Sequence, residues 1–173
     1  MTTRTPLIAG NWKMYKTGPE AVAAARSLKE LTAGVSDVDV MIAPAFTALA
    51  AAAEALEGSP IAVGAQNLHW ESEGAFTGEI SPAMIRAAGC RYVIIGHSER
   101  RQLFGETDQA VNRKVRAALA AGLTPVLCIG ETEAEREAQQ TFSVLDKQLR
   151  LGLEDLSLPT PVDVVVAYEP VWA

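Results

Sequence analysis

Histidine and cysteine are scarce in this sequence, with two of each among 173 residues. His69 and His97 are the only imidazoles, and no spacing of histidine, cysteine and acidic residues reads as a metal site. Cys90 and Cys128 sit in or beside apolar, strand-like runs, which reads as two buried free thiols rather than a disulfide. No segment reaches the roughly 18 apolar residues of a membrane-spanning helix. The start, Met1 to Pro6, has no apolar signal-peptide core. The expectation is a soluble cytoplasmic protein without a membrane partner. Neither a Gly-x-Gly-x-x-Gly fingerprint nor a Walker-type loop occurs, which argues against a nucleotide site. The formal charge is −6 with both signs mixed along the chain, which argues against nucleic acid as a partner. It leaves room for a local positive site for a small phosphate.

Apolar residues, by contrast, make up 49% of the chain, enough for a sizeable core. They fall into short runs that alternate with helical patterns. Strands are predicted at 7–9, 38–43, 61–65, 92–95, 124–129 and 162–168. Between them, Thr17 with Glu20 forms a capping-box pattern, and Ala21, Ala25, Leu28 and Leu31 recur at near-helical spacing. An alanine-rich helix is predicted from Thr47 to Glu57, a short one after Ser81-Pro82, and one from Thr107 to Ala121. Thr132 with Glu135 forms a second capping box, and its helix is predicted to run to about Leu151. Residues 66–79 break the rhythm as a long, polar, glycine-bearing loop, more often functional or an interface than a plain connector. Six strands alternating with helices imply a parallel sheet with right-handed crossovers. With no linker and no strict repeat, residues 1–173 read as a single domain.

The run from Tyr92 to Arg101 organises the chain. A β-branched stretch suited to burial on both faces ends at Gly96, and His97 follows at once. Ser98 can cap a helix there, with Glu99 in its first turn. An imidazole at a strand's carboxyl end, against a helix N-terminus, favours the neutral form. Lys13 and Glu169 also stand just past strand ends, and a parallel barrel would turn all three groups into one mouth. A carboxylate can remove a proton beside a carbonyl, an imidazole can polarise that carbonyl, and an ammonium can hold an anionic substrate. Pro170 keeps Glu169 in extended geometry.

Each residue also has a plainer role. His97 could satisfy a strand-end hydrogen bond, Glu169 and Lys13 could be strand-end charges, and Asn11 and Thr77 could be turn residues. Cys128 and Glu131 read as structural support, with Glu131 capping or pairing. Arg100 and Arg101 read as solvated or ion-paired. No serine has its own base, and no predicted strand contains a lysine for Schiff-base aldolase chemistry.

Five motifs in order resemble the triosephosphate isomerase family along the whole chain. They are Gly10-Asn11-Trp12-Lys13-Met14, Ala65-Gln66-Asn67 with the run Gly74 to Glu79, Ile94 to Arg101, Pro125 to Glu131, and Ala167 to Ala173. The histidine and glutamate motifs are highly specific. The resemblance implies a TIM (β/α)8 barrel and the interconversion of dihydroxyacetone phosphate and glyceraldehyde 3-phosphate, with no cofactor and no metal. It implies Glu169 as base, His97 as neutral electrophile and Lys13 as a third catalytic group. It implies that Asn11, Trp12 and Lys13 bind substrate and that Glu99 and Cys128 support the site. The glutamate–neutral histidine pairing comes from the family and not from spacing. The loop at 66–79 implies a homodimer of the complete protein, with Thr77 reaching towards the neighbouring subunit's site. A full barrel needs roughly 250 residues and eight strands. The expectation is therefore an incomplete barrel of six parallel strands with two unpaired edges and little or no activity. The other reading is a non-catalytic barrel fragment that acts in binding or assembly.

Overall fold

The computed structural model describes residues 5–157 and 164–172. Six strands form one parallel sheet in chain order: β1 (Leu7–Asn11), β2 (Asp39–Ala43), β3 (Ala62–Ala65), β4 (Cys90–Ile95), β5 (Thr124–Ile129) and β6 (Val165–Tyr168). The helices are α1 (Gly18–Leu31), α2 (Leu49–Ala55), α3 (Pro82–Ala87), α4 (Ser98–Phe104), α5 (Asp108–Ala120), α6 (Glu133–Glu137) and α7 (Thr141–Gly152). This is the expected six-stranded incomplete barrel.

The central strands β3, β4 and β5 are mostly apolar because both faces are covered. Val63, Val93, Ile95, Leu127 and Ile129 join a cluster with Val111, Val115, Ala118 and Ile85 from the helices. Met41, Ala43, Tyr92, Ile94, Val126 and Cys128 form a second, inner cluster. Gly64 keeps the contact close, since a Cβ on it would meet Met41 Sδ at 3.0 Å and Tyr92 Cβ at 3.2 Å and push them apart by a few tenths of an ångström. The inner layer thins at the open ends. Ile8 on β1 and Val166 and Tyr168 on β6 are about half exposed or more, and among the described residues β1 and β6 have a neighbour on one side only.

Both capping boxes form. The Thr17 N–H and Oγ1 each donate to Glu20 Oε2 at 2.7 Å, and Thr132 makes the same pair of bonds to Glu135 Oε2.

Three expectations change, and a fourth falls outside the described residues. The helix after Thr132 does not run unbroken. It stops at Glu137, because Gln139 takes a left-handed φ of 59° and the Gln140 N–H returns to Glu135 O at 2.8 Å. That is a helix-ending turn made without glycine, and α7 begins afresh at Thr141. The alanine-rich helix opens as a 3-10 turn at Phe46–Ala48 and ends at Ala55. Ser98 is the first residue of α4 and not its cap, since His97 takes that place. The expected start of the sixth strand at Val162 lies outside the described residues, and β6 runs from Val165.

No described helix is long and apolar enough to cross a membrane.

Candidate active site

The carboxyl ends of β1, β4 and β6 deliver Lys13, His97 and Glu169. Gly96 leaves β4 with φ 74°, a conformation that a side chain would strain. His97 then caps α4 with its own ring, as Nδ1 accepts the Glu99 backbone N–H at 3.2 Å. A ring nitrogen that accepts is unprotonated, so in neutral His97 the proton sits on Nε2. Nε2 lies 3.2 Å from Glu169 Oε2, and the same carboxylate oxygen accepts from Ser98 Oγ at 3.2 Å.

Glu169 is held by its backbone. Its N–H donates to Ile129 O at 2.9 Å, and the Val171 N–H donates to Glu131 O at 2.9 Å. Its carbonyl packs directly on Gly130, where any Cβ would overlap it. Below it, Glu131 is fully buried. Its carboxylate receives Arg136 Nη1 at 3.0 Å and the Tyr168 hydroxyl at 3.1 Å. Burial raises the Glu131 carboxyl, but hydrogen bonds from its own backbone, Arg136 and Tyr168 outweigh that and hold it below the usual range. Burial, then the bond to Glu131, pushes the Tyr168 phenol above its ordinary value. Glu131 therefore pairs and does not cap.

Lys13 adopts a left-handed φ of 51°. Asn11 Oδ1 accepts its N–H at 3.0 Å, and Gln66 Nε2 donates to its carbonyl at 2.8 Å while also reaching Ala43 O at 2.8 Å. Lys13 Nζ meets Glu99 Oε1 at 2.8 Å. That hydrogen bond raises the ammonium above its ordinary value and lowers the Glu99 carboxyl below its own. Both groups are 44% exposed, so the pair is worth at most about 1 kcal/mol.

Lys13, Glu99, His97, Ser98 and Glu169 therefore form one connected chain of polar groups. Asn11 serves the Lys13 turn. The Trp12 ring packs against the core, with Lys16 Nζ 5.6 Å from its centroid. Burial pushes the Cys128 thiol up to about 12, and the group this residue offers is its carbonyl, which accepts Arg101 Nη2 at 3.2 Å. Thr77 is exposed on the 66–79 loop, outside the polar chain.

Sequence reasoning missed a buried network under His97. Glu106 Oε2 accepts the Gly96 N–H at 3.0 Å, and Lys114 Nζ bridges Glu106 to Asn67 Oδ1. The available signal was spacing, because Lys114 falls on the same face of α5 as Val111, Val115 and Ala118. Among the described residues, no three His, Cys, Asp or Glu side chains cluster as a metal would require.

Polar groups gathered at the carboxyl strand ends of a parallel β/α sheet are the hallmark of a β/α-barrel enzyme. Residues 6–173 match the family model described as triosephosphate isomerase. The triosephosphate isomerase of Endomicrobium trichonymphae is 59% identical over 98% of this chain and 68% of its own length. That of Syntrophotalea carbinolica is 58% identical with the same coverage. A crystal structure of the enzyme from Bartonella henselae superposes with a TM-score of 0.91 at 40% identity, over 98% of this chain and 70% of that one. The chain belongs to the triosephosphate isomerase family.

Proposed function

We propose that this polypeptide carries the isomerase centre that interconverts dihydroxyacetone phosphate and glyceraldehyde 3-phosphate, a glycolytic step. The observation that carries the reading is the 3.2 Å approach of His97 Nε2 to Glu169 Oε2, with Nδ1 already committed to the Glu99 N–H. The Glu169 carboxylate takes a proton from the carbon next to the substrate carbonyl. The Nε2–H of neutral His97 donates to that carbonyl oxygen as negative charge gathers there, giving an enediolate. Glu169 then returns the proton to the neighbouring carbon, while His97 exchanges protons with the two oxygens. Lys13 offsets the enediolate and phosphate charge, and Asn11 and Trp12 help form the wall around the substrate. Glu99 holds Lys13, and Cys128 supports the site through its carbonyl. No cofactor or metal enters these steps.

The described residues form one domain on this reading. The complete protein is a cytoplasmic homodimer that pairs through residues 66–79, with Thr77 reaching towards the partner's site. The open edges at β1 and β6 leave the centre unclosed, so the 173 residues alone turn over far more slowly than a chain with two further β/α units. The same edges favour a second reading, a fragment acting only in binding or assembly. Production of glyceraldehyde 3-phosphate separates the two. It is measured for this chain and for this chain joined to the remaining part of the Endomicrobium trichonymphae relative. The isomerase reading expects strong turnover from the joined chain and little from the shorter one. A joined chain that is folded but inactive removes it.

A further inference from the structure

The Arg101 side chain, on α4, is 13% exposed, and every arm of its guanidinium is engaged. Nε donates to Gly96 O at 2.7 Å, Nη2 to Cys128 O at 3.2 Å, and Nη1 to Asp108 Oδ1 at 2.6 Å. The two carbonyls belong to neighbouring strand ends. The β4–β5 ladder ends with the Ile95–Leu127 pair, and beyond it Gly96 turns away with φ 74°. That turn aims His97, and it strips Gly96 O and Cys128 O of a ladder partner on that side. Arg101 replaces the lost ladder with one planar fork, and Asp108 neutralises the charge. Gly96 has to be glycine for this approach, because a Cβ there would meet Arg101 Nη2 at 2.9 Å and Cys128 O at 3.2 Å.

We infer that Arg101 is a positioning residue, fixing the His97 ring relative to Glu169 by clamping the Gly96–His97 peptide, just past β4, to the Cys128 carbonyl near the end of β5. The link runs onward through the sheet. Cys128 pairs with Ala167 on β6, and the Glu169 N–H hangs from Ile129 O. Glu106 takes the Gly96 N–H while Arg101 takes its carbonyl, so the two peptides that flank Gly96, just before the imidazole, are held by opposite charges. Lysine cannot stand in, since a point ammonium does not span two carbonyls and a carboxylate in one plane. The inference rests on the His97–Glu169 centre proposed above.

The test is nitrogen NMR of the His97 ring in the 173-residue chain, with His69→Gln removing the second imidazole. The parent shows a single Nε2–H tautomer. Arg101→Lys shows a mixture of tautomers, and its Glu169 amide exchanges about tenfold faster, while α1 amides keep the parent rate. Guanidinium ion, added at a non-denaturing level to Arg101→Ala, restores the single tautomer. Parent-like ring signals in Arg101→Lys overturn the inference even if the melting temperature falls. Loss of amide protection throughout Arg101→Lys also overturns it, because the side chain would then hold the fold and not the ring. The ring spectrum is read without turnover, so an inactive joined chain whose ring signals still respond to Arg101→Lys would sink the isomerase reading and leave this one standing.

Discussion

Gly130 lies so close beneath the Glu169 carbonyl that no side chain fits between them. Gly130 itself is tied to α7, donating its N–H to Gln148 Oε1 at 2.8 Å and accepting from Gln148 Nε2 at 3.0 Å. The glutamate therefore sits on a floor that cannot drop. Gly130→Ala is expected to lift the 169–170 peptide by about an ångström. A misplacement of that size costs about 100-fold in turnover. Overpacking should also cost about 1–3 kcal/mol of stability. Turnover of the joined chain and a denaturant melt check both, and a variant with parent turnover shows that the floor is soft.

The Lys114 and Glu106 side chains are almost fully buried against each other, and Asn67 Oδ1 gives the ammonium a second acceptor. Lys114→Met leaves the buried Glu106 carboxylate with only Arg100 Nε, at 3.4 Å, and the Gly96 N–H as partners, and is expected to destabilise by about 3 kcal/mol, the low end for breaking a buried pair. Adding Glu106→Leu removes that charge and should restore much of the loss. Urea unfolding of the two variants decides. A double variant no better than the single one would show that the bond to the Gly96 N–H matters more than the charge balance.

The Lys13–Glu99 pair sets a small pH dependence of known sign. Glu99 is held below its ordinary 4.5, so its contribution is present above that value and lost as pH falls through the lowered folded value. Lys13 is held above 10.5, so its share is present below that value and lost as pH rises through the raised one. At neutral pH, Glu99→Gln should cost less than about 1 kcal/mol because both partners are half exposed. The cost should vanish in acid. Thermal melts of parent and variant across the acid range measure it, and a cost that persists below the folded value contradicts the pairing.

Much of the site could be read from the chain because three residues carry local marks. His97 follows a glycine that ends a β-branched run, Glu169 precedes a proline, and Lys13 closes the first strand. These marks are short-range, and parallel topology does the rest. What could not be read was long-range or unmarked. Glu106 meets Gly96 from ten residues away and Lys114 meets Asn67 from 47 away, and nothing local in either residue announces the partner. Gln139 ends α6 in a left-handed turn that glycine usually takes, so composition gave no stop. Ser98 has the chemistry of a cap, yet His97 fills that role and leaves the Ser98 hydroxyl free for Glu169.

Proton abstraction by Glu169 is tested most directly by exchange of carbon-bound hydrogen on dihydroxyacetone phosphate for solvent deuterium. The exchange is followed by NMR in the joined chain and in its Glu169→Gln variant. Exchange catalysed by the parent sequence and reduced about 100- to 10,000-fold in the variant is the predicted result. Equal exchange in both would mean that another group moves the proton, and the pairing of His97 with Glu169 would then have no part in the chemistry.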